Sequence, residues 1–202
     1  KSGERGIFNR VASQHQASKN GRRSDSFEFG TNPCSEIILR PYQFCNLTEV
    51  VVRATDSYET LTRKVKLATI LGTFQSTLTY FPYLRKIWTS NTEEERLLGV
   101  SLTGIMDNDD LVTGRINLKE LREVAVQTNK EWADLLGINP STAITCVKPS
   151  GTVSQLVDSA SGIHPRHSAY YIRSVRADNK DPLTQFMKEA GIPNEPEVNK
   201  PE

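Results

Sequence analysis

The chain has 202 residues, 37% of them hydrophobic, which is enough for one sizeable core. Its 25 Lys and Arg balance 24 Asp and Glu, so its net charge does not indicate binding to nucleic acid or to a membrane surface. No run of 18 apolar residues occurs and Lys1–Arg5 is polar, so we expect a cytoplasmic protein without a signal peptide or membrane span. Three cysteines at these spacings fit neither a disulfide scaffold nor a zinc site, which indicates buried or reactive thiols.

Strand-like and helix-like patterns alternate along the chain. In chain order the predicted elements are an irregular segment at 1–30, β-rich runs at 36–39 and 47–53, a helix at 57–81, a short acidic turn after Asn91 or Thr92, a strand at 97–105, a helix at 117–136 closed by Gly137, an apolar run at 143–147, a helix at 153–157, a strand at 170–175 and a helix at 182–190. This alternation predicts an α/β fold with largely parallel strands, in which sites gather at the carboxyl ends of strands.

The most informative stretch is Gly30-Thr-Asn-Pro-Cys-Ser-Glu-Ile-Ile, in which Asn32, Cys34 and Glu36 occupy alternate positions. In an extended segment, alternate side chains point the same way, so an amide, a thiol and a carboxylate would face one volume. The plainer interpretation is a small buried cysteine, a turn at Asn32-Pro33 and a solvated edge charge at Glu36. Spacing alone leaves the two interpretations about equal.

The motif Asn-Pro-Cys-Ser-Glu-Ile, followed after a short loop by Cys45-Asn-Leu, resembles the finger loop of ribonucleotide reductases. The resemblance implies that Cys34 carries a thiyl radical and that Glu36 takes the proton of the substrate 3′-hydroxyl. It also implies that Asn32 hydrogen-bonds the reacting ribose and that Cys45 is one half of the dithiol that supplies reducing equivalents.

A reducing dithiol needs a second cysteine close to Cys45. Cys146 is the only other candidate in the chain, but its apolar run Ala-Ile-Thr-Cys-Val favours a buried strand residue. In the family the partner of Cys45 lies upstream, on the first strand of the barrel. We therefore expect the chain to be an excerpt of something longer that does not turn over alone.

A second motif, Lys148-Pro-Ser-Gly-Thr-Val-Ser, lies between a predicted strand and a helix. Amides at a helix start favour an anion, and Gly151 would let it approach the backbone. The plainer interpretation is a capped turn, and the segment is not a P-loop because the Gly-Lys-Ser/Thr end is missing. By the resemblance, the substrate phosphates bind at Ser150, Gly151, Thr152, Val153 and Ser154.

The remaining candidate residues give weaker evidence for a functional site. His164 and His167 favour a structural loop pair, so no metal site is expected. Arg166, Arg173 and Arg176 are not assigned to a site. The glycine pair of Gly99-Val-Ser-Leu-Thr-Gly favours close packing over a ligand cleft.

The resemblance as a whole implies part of a ten-stranded α/β barrel within residues 1–202, with the finger loop around 30–46 and the second half-barrel from about 47 onward. The segment Cys-Asn-Leu-Thr-Glu-Val-Val-Val, and Ser-Gly-Ile-His-Pro-Arg-His-Ser downstream, are most similar to the adenosylcobalamin-dependent branch. That branch implies a ribonucleoside triphosphate substrate, a thioredoxin-like or dithiol reductant and room for a deoxynucleotide effector. The alternatives are a diphosphate reductase with a separate radical-generating subunit, and a catalytically silent nucleotide-binding module.

Overall fold

The computed structural model describes residues 6–198, so that Lys1–Arg5 and the last four residues of the tail lie outside the described part. One compact unit ends at Arg166 and a second begins at His167. Within the described residues, no helix is both long and apolar enough to cross a membrane.

A parallel sheet is the framework of the first unit. Strands β3 (Asn46–Val51) and β4 (Leu98–Thr103) pair in parallel along their whole length. On the other side of β4, Val100 forms a parallel bridge with Thr145, so the segment 143–146 occupies a third strand position. The predicted parallel arrangement is confirmed.

Two long helices cover one face of this sheet. Helix α2 (Tyr58–Gln75) begins at a capping box made by Ser57 and Thr60, and α5 (Leu118–Leu136) ends at Gly137 in the left-handed conformation that glycine favours. Both helices pack on the sheet around a buried apolar cluster. Its members are Val50, Val65, Ala68, Leu98, Val100, Ala125 and Ile144.

The shorter elements complete the described chain. They are α1 (Arg10–Ser18), β1 (Gly30–Thr31), β2 (Ile38–Leu39), α3 (Lys86–Glu95), a 3-10 turn (Ile105–Asp107), α4 (Asp109–Val112), α6 (Val153–Leu156) and α7 (Pro182–Glu189). In the second unit, α7 begins with Pro182 directly after its cap Asp181, as the sequence predicts.

Three of the predicted elements are wrong in their extent or type. Residues 10–18 are helical rather than irregular, because the Asn9 side chain caps the amide of Ala12. The helix predicted to reach residue 81 ends at Gln75, where the Arg96 guanidinium donates to the buried carbonyl of Ser76 at 2.6 Å. The acidic turn expected after Asn91 or Thr92 is part of a full helix, α3.

The strand expected at 170–175 is also wrong. The segment is not in a sheet, and its apolar side chains at Tyr170, Ile172 and Val175 are almost fully exposed. A β-rich composition makes a strand only where another strand supplies hydrogen-bond partners, and no described residue does so here.

A buried ion pair ties the N-terminal segment to the end of α3. Arg23 donates two hydrogen bonds to the Glu95 carboxylate, at 2.7 and 2.8 Å, and a third to the carbonyl of Ile38 in β2. The Arg23 and Glu95 side chains are only 2% and 3% exposed. Gln43 completes the network by donating to Glu95 and accepting from Arg23. The network holds both sides of the loop that contains the predicted catalytic residues.

Candidate active site

The loop around Cys34 is a small hairpin. Strands β1 and β2 pair antiparallel, and residues 32–37 form the turn between them. Ser35 adopts a left-handed conformation (φ 63°), and its amide donates to the carbonyl of Asn32 at 3.0 Å. The Asn32 side-chain oxygen accepts from the amide of Ile37 at 3.0 Å. The Asn32 side chain therefore helps to shape the turn that presents Cys34.

Asn32, Cys34 and Glu36 lie close together as predicted, but the predicted reason for this is wrong. The segment is not extended, so alternation along a strand does not bring the three side chains together. The turn does so: the Asn32 side chain interacts with the Glu36 carboxylate, and Cys34 is exposed at the tip.

A lysine from the second motif reaches into this group. Lys148 Nζ lies 2.9 Å from Glu36 Oε1, and the Cys34 side chain also contacts the Lys148 ammonium. The Glu36 side chain is 1% exposed and that of Lys148 is 28% exposed. Burial raises the pKa of Glu36, but the Lys148 ammonium and the Asn32 side chain more than offset this, so the pKa is lowered. Glu36 is therefore ionised at neutral pH.

The hairpin lies on the face of the sheet opposite the long helices. Neighbouring residues of a strand point to opposite faces, so Gly99 faces away from the core in which Leu98 is buried. A Cβ on Gly99 would lie 2.4 Å from Leu47 Cδ2, 2.9 Å from Ile37 Cδ1 and 3.1 Å from Cys146 Sγ. The glycine therefore allows Ile37 of the loop to rest on the sheet, in agreement with the packing interpretation of this glycine.

Two further thiols lie near the carboxylate. Burial, followed by the negative charge of Glu36, raises the pKa of Cys45. Burial, Glu36 and Cys45 together raise the pKa of Cys146 to about 12. Both sulfurs therefore remain protonated thiols at neutral pH.

The Lys148-Pro-Ser-Gly-Thr motif forms a tight turn followed by the single helical turn α6. Gly151 has φ +54°, and its neighbours Thr152 and Val153 are exposed. Within the described chain, the amides of Gly151 and Thr152 donate no backbone hydrogen bond. By contrast, the hydroxyls of two buried serines are used internally, Ser150 with Ser161 and Ser154 with the Gly151 carbonyl.

Charged and polar contacts fix this turn at the carboxyl ends of the strands. Arg166 binds Asp107 and Asp158, and Arg53, just after β3, donates to the Asp158 carbonyl. Thr103, the last residue of β4, donates to the Ala160 carbonyl. Arg166 is thus engaged in structural ion pairs. In the described part of the chain, no group of three or more His, Cys, Asp or Glu side chains could hold a metal ion.

Comparison with known proteins shows which proteins this chain resembles. No protein-family model matches the chain. An adenosylcobalamin-dependent ribonucleoside-triphosphate reductase of Lacticaseibacillus paracasei is 31% identical over an alignment that covers 98% of this chain and 30% of the relative. The reductase of the same name from Lactobacillus acidophilus is also 31% identical, covering 97% and 30%. A crystal structure of a B12-dependent (class II) ribonucleotide reductase superposes with a TM-score of 0.62 at 27% identity, over 84% of this chain and 27% of that one.

The chain is similar to ribonucleotide reductases along almost its whole length. It spans about 30% of the length of these curated reductases. The alpha subunit of a class Id ribonucleotide reductase from Actinobacillus ureae has the same fold over 90% of the chain, with a TM-score of 0.51 at 18% identity. The expected fold class, α/β and part of the ribonucleotide reductase barrel, is confirmed. The division into a finger loop and a second half-barrel remains a prediction.

Sequence reasoning missed the role of Lys148 in this group of side chains. The residue stands at the head of the Pro-Ser-Gly-Thr motif, but nothing in the local pattern shows that its side chain turns back to Glu36, 112 positions earlier. It also missed Glu49, whose pKa is raised by burial and whose Oε1 atom is buried without a hydrogen-bond partner among the described residues.

Proposed function

We propose that the chain supplies the radical loop and a phosphate-binding turn of an adenosylcobalamin-dependent ribonucleoside-triphosphate reductase. The observation that carries the proposal is the grouping of Cys34, Glu36 and Asn32 at one turn. A thiol that can hold a radical, an ionised carboxylate and an amide are the groups that reduction at an unactivated ribose carbon requires.

The first step belongs to Cys34. Its sulfur radical takes the hydrogen atom from C3′, which forms the S–H bond and leaves the unpaired electron on the ribose. Glu36 then accepts the proton of the 3′-hydroxyl and passes it to the 2′-hydroxyl, which leaves as water. After the later reduction, Cys34 returns its hydrogen atom to C3′ and regains the radical. Asn32 positions the ribose by hydrogen bonding. The exposed turn leaves Cys34 accessible to a substrate and to a radical source.

The intermediate must then gain two electrons and two protons. A dithiol supplies both when it closes to a disulfide, so the net change is ribonucleotide plus dithiol to deoxyribonucleotide, disulfide and water. We assign Cys45 to one half of this dithiol, because its thiol lies near Glu36 and stays protonated. A thioredoxin-like protein or a small dithiol would then reduce the disulfide, and a deoxynucleotide effector is compatible with the same reaction.

The cofactor proposal rests on the named relatives and on the accessible thiol of Cys34. When bound, adenosylcobalamin would supply the one-electron chemistry that removes the hydrogen atom from this thiol. The described residues show a sulfur that such a group can reach.

We assign the substrate phosphates to Ser150, Gly151, Thr152, Val153 and Ser154. The amides of Gly151 and Thr152 that lack backbone acceptors and the exposed Thr152 would contact the anion, while the buried hydroxyls of Ser150 and Ser154 hold the turn in shape. The neighbouring Lys148 adds a positive charge.

The test replaces Cys34 by Ser in the reductase that contains this chain, with Cys146→Ser as the matched control. A hydroxyl does not form the required radical readily, so Cys34→Ser should abolish nucleotide reduction and leave nucleotide binding nearly intact. Cys146→Ser removes a neighbouring thiol that the mechanism does not use, and it should keep turnover. Reduction that persists in Cys34→Ser, or a requirement for a separate radical-generating protein instead of adenosylcobalamin, would contradict the proposal.

A further inference from the structure

Lys148 connects the two motifs of the site directly. It begins the turn assigned to phosphate binding, two residues before Ser150, yet its ammonium lies 2.9 Å from the Glu36 carboxylate and contacts Cys34. A lysine in this place can bind either of two anions, the carboxylate of the protein or the phosphate of a substrate.

We propose that Lys148 is a positioning residue that couples phosphate binding to the release of Glu36. With the turn empty, the Lys148 ammonium binds Glu36 and occupies the carboxylate that must receive the substrate proton. A triphosphate on the turn attracts the ammonium away from Glu36. The carboxylate then becomes free to accept the proton of the 3′-hydroxyl. This inference rests on the proposed function of the site and adds a control step to it.

The burial of the partners supports a movable contact. The Glu36 side chain is 1% exposed, so water cannot readily replace the lysine as its partner. Of the two side chains that interact with the Glu36 carboxylate, Asn32 is neutral and Lys148 is charged, so Lys148 supplies the counter-charge. A carboxylate with free lone pairs in a buried site is ready to accept a new donor.

The charge and flexibility of lysine suit this role. Its ammonium is a compact charge on a four-carbon stem, and the side chain is 28% exposed, so it has room to move toward the turn. A triphosphate carries several negative charges against one on Glu36, so Coulomb attraction favours the move when the anion binds. The other titratable groups around the pair are Cys34, Cys45, Glu49 and Cys146.

The test uses the reductase that contains this chain and follows the ionisation of Glu36 by infrared difference spectroscopy, with Glu36→Gln identifying its band. Inorganic tripolyphosphate serves as the probe anion. In the unchanged protein the pKa of Glu36 should be lowered, and saturating tripolyphosphate should raise it. In Lys148→Met the pKa should already be raised and should not respond to tripolyphosphate, whereas Lys148→Arg should retain the lowered value.

Lys64→Met is the matched control, because Lys64 forms another lysine–carboxylate pair, with Asp56 at 2.5 Å, outside the site. It should leave the Glu36 titration and its response to tripolyphosphate unchanged. If Lys148→Met keeps the lowered pKa of Glu36, or if tripolyphosphate leaves the titration of the unchanged protein unaffected, the coupling is wrong.

Kinetics separate coupling from a fixed ion pair. When kcat/KM is plotted against pH, its acid limb gives the pKa of the catalytic base in the free enzyme. The acid limb of kcat gives the pKa of the same group in the substrate complex. Coupling predicts that Lys148→Met moves the kcat/KM limb to higher pH and leaves the kcat limb in place. A permanent ion pair would move both limbs, and that result would overturn the inference. The spectroscopic result does not need a radical, so it decides the role of Lys148 even if Cys34→Ser shows that the proposed function is wrong.

Discussion

Replacement of Gly99 by Ala tests whether the loop at 32–37, which carries Cys34, depends on contact with the sheet. The new methyl group would lie 2.4 Å from Leu47, 2.9 Å from Ile37 and 3.1 Å from Cys146. All three contacts are shorter than ordinary van der Waals distances, so the neighbours must move. Because the buried Ile37 directly follows Glu36, we expect its displacement to move the carboxylate as well.

The expected cost follows from overpacking. An extra methyl group in a packed region costs about 1–3 kcal/mol, and the lower half applies here because the contacted atoms are side-chain ends that can rotate. With a urea m-value of about 2 kcal/mol/M, the unfolding midpoint should fall by about 0.5–1 M. A shift of the loop by about 1 Å should lower turnover by roughly 100-fold.

Gly72→Ala is the matched control on the opposite face of the same sheet. A Cβ there would meet Leu98 and Thr48 at 3.4–3.6 Å, which is ordinary contact, and Gly72 lies inside α2. Alanine in a helix interior should stabilise the protein by about 0.5–1 kcal/mol. Urea unfolding measures the stability of both variants. Steady-state nucleotide reduction by the reductase that contains each variant measures their activity. If Gly99→Ala is as stable and as active as the unchanged protein, the loop does not depend on this contact.

Three further predictions concern stability and binding. Glu95→Gln leaves the buried Arg23 without its counter-charge and should lower the unfolding free energy by about 3–5 kcal/mol; a loss below 1 kcal/mol in urea unfolding would contradict this. Burial raises the pKa of Asp56, but hydrogen bonds from Lys64 and the Arg53 amide lower it overall, so its contribution to stability is present above about pH 4 and lost as the pH falls through the folded pKa. Asp56→Asn should therefore destabilise the protein by about 1–3 kcal/mol at pH 7 and by progressively less as the pH falls below about 4; a loss that does not change with pH refutes the assignment. Gly151→Val should raise the substrate dissociation constant about ten-fold or more, whereas Gly151→Asn, which tolerates a positive φ, should bind more nearly normally; a lowered melting temperature with unchanged affinity in Gly151→Val would make the turn only a cap.

Much of the framework could be predicted from periodicity. The helices α2 and α5 have an apolar face at helical spacing and strong caps, Ser57 and Gly137, so local sequence fixes them. The strands β3 and β4 were predicted from short β-rich or apolar runs, and their parallel pairing from the alternation of strands and helices along the chain. The predicted end of α2 was wrong because a distant residue, Arg96, binds the carbonyl that follows the helix.

The candidate site shows the same division. The motif around Cys34 predicted which residues meet, but the reason was wrong, because a turn with a left-handed Ser35 replaces the extended segment. The contact between Lys148 and Glu36 joins residues 112 positions apart and leaves no trace in either local pattern. Motifs identify the residue types that chemistry needs, whereas tertiary contacts decide their charge state.

The most direct test of the account follows the C3′ hydrogen of a tritiated ribonucleoside triphosphate in the reductase that contains this chain. Cys34 is assigned to hydrogen abstraction and Cys45 to the later reduction, so the two Cys→Ser variants should differ. Cys45→Ser should still release tritium from C3′ to water while multiple turnovers with dithiol reductants stop, and Cys34→Ser should release none. Release of tritium by Cys34→Ser, or its loss in Cys45→Ser, would contradict the assignment of the radical to Cys34.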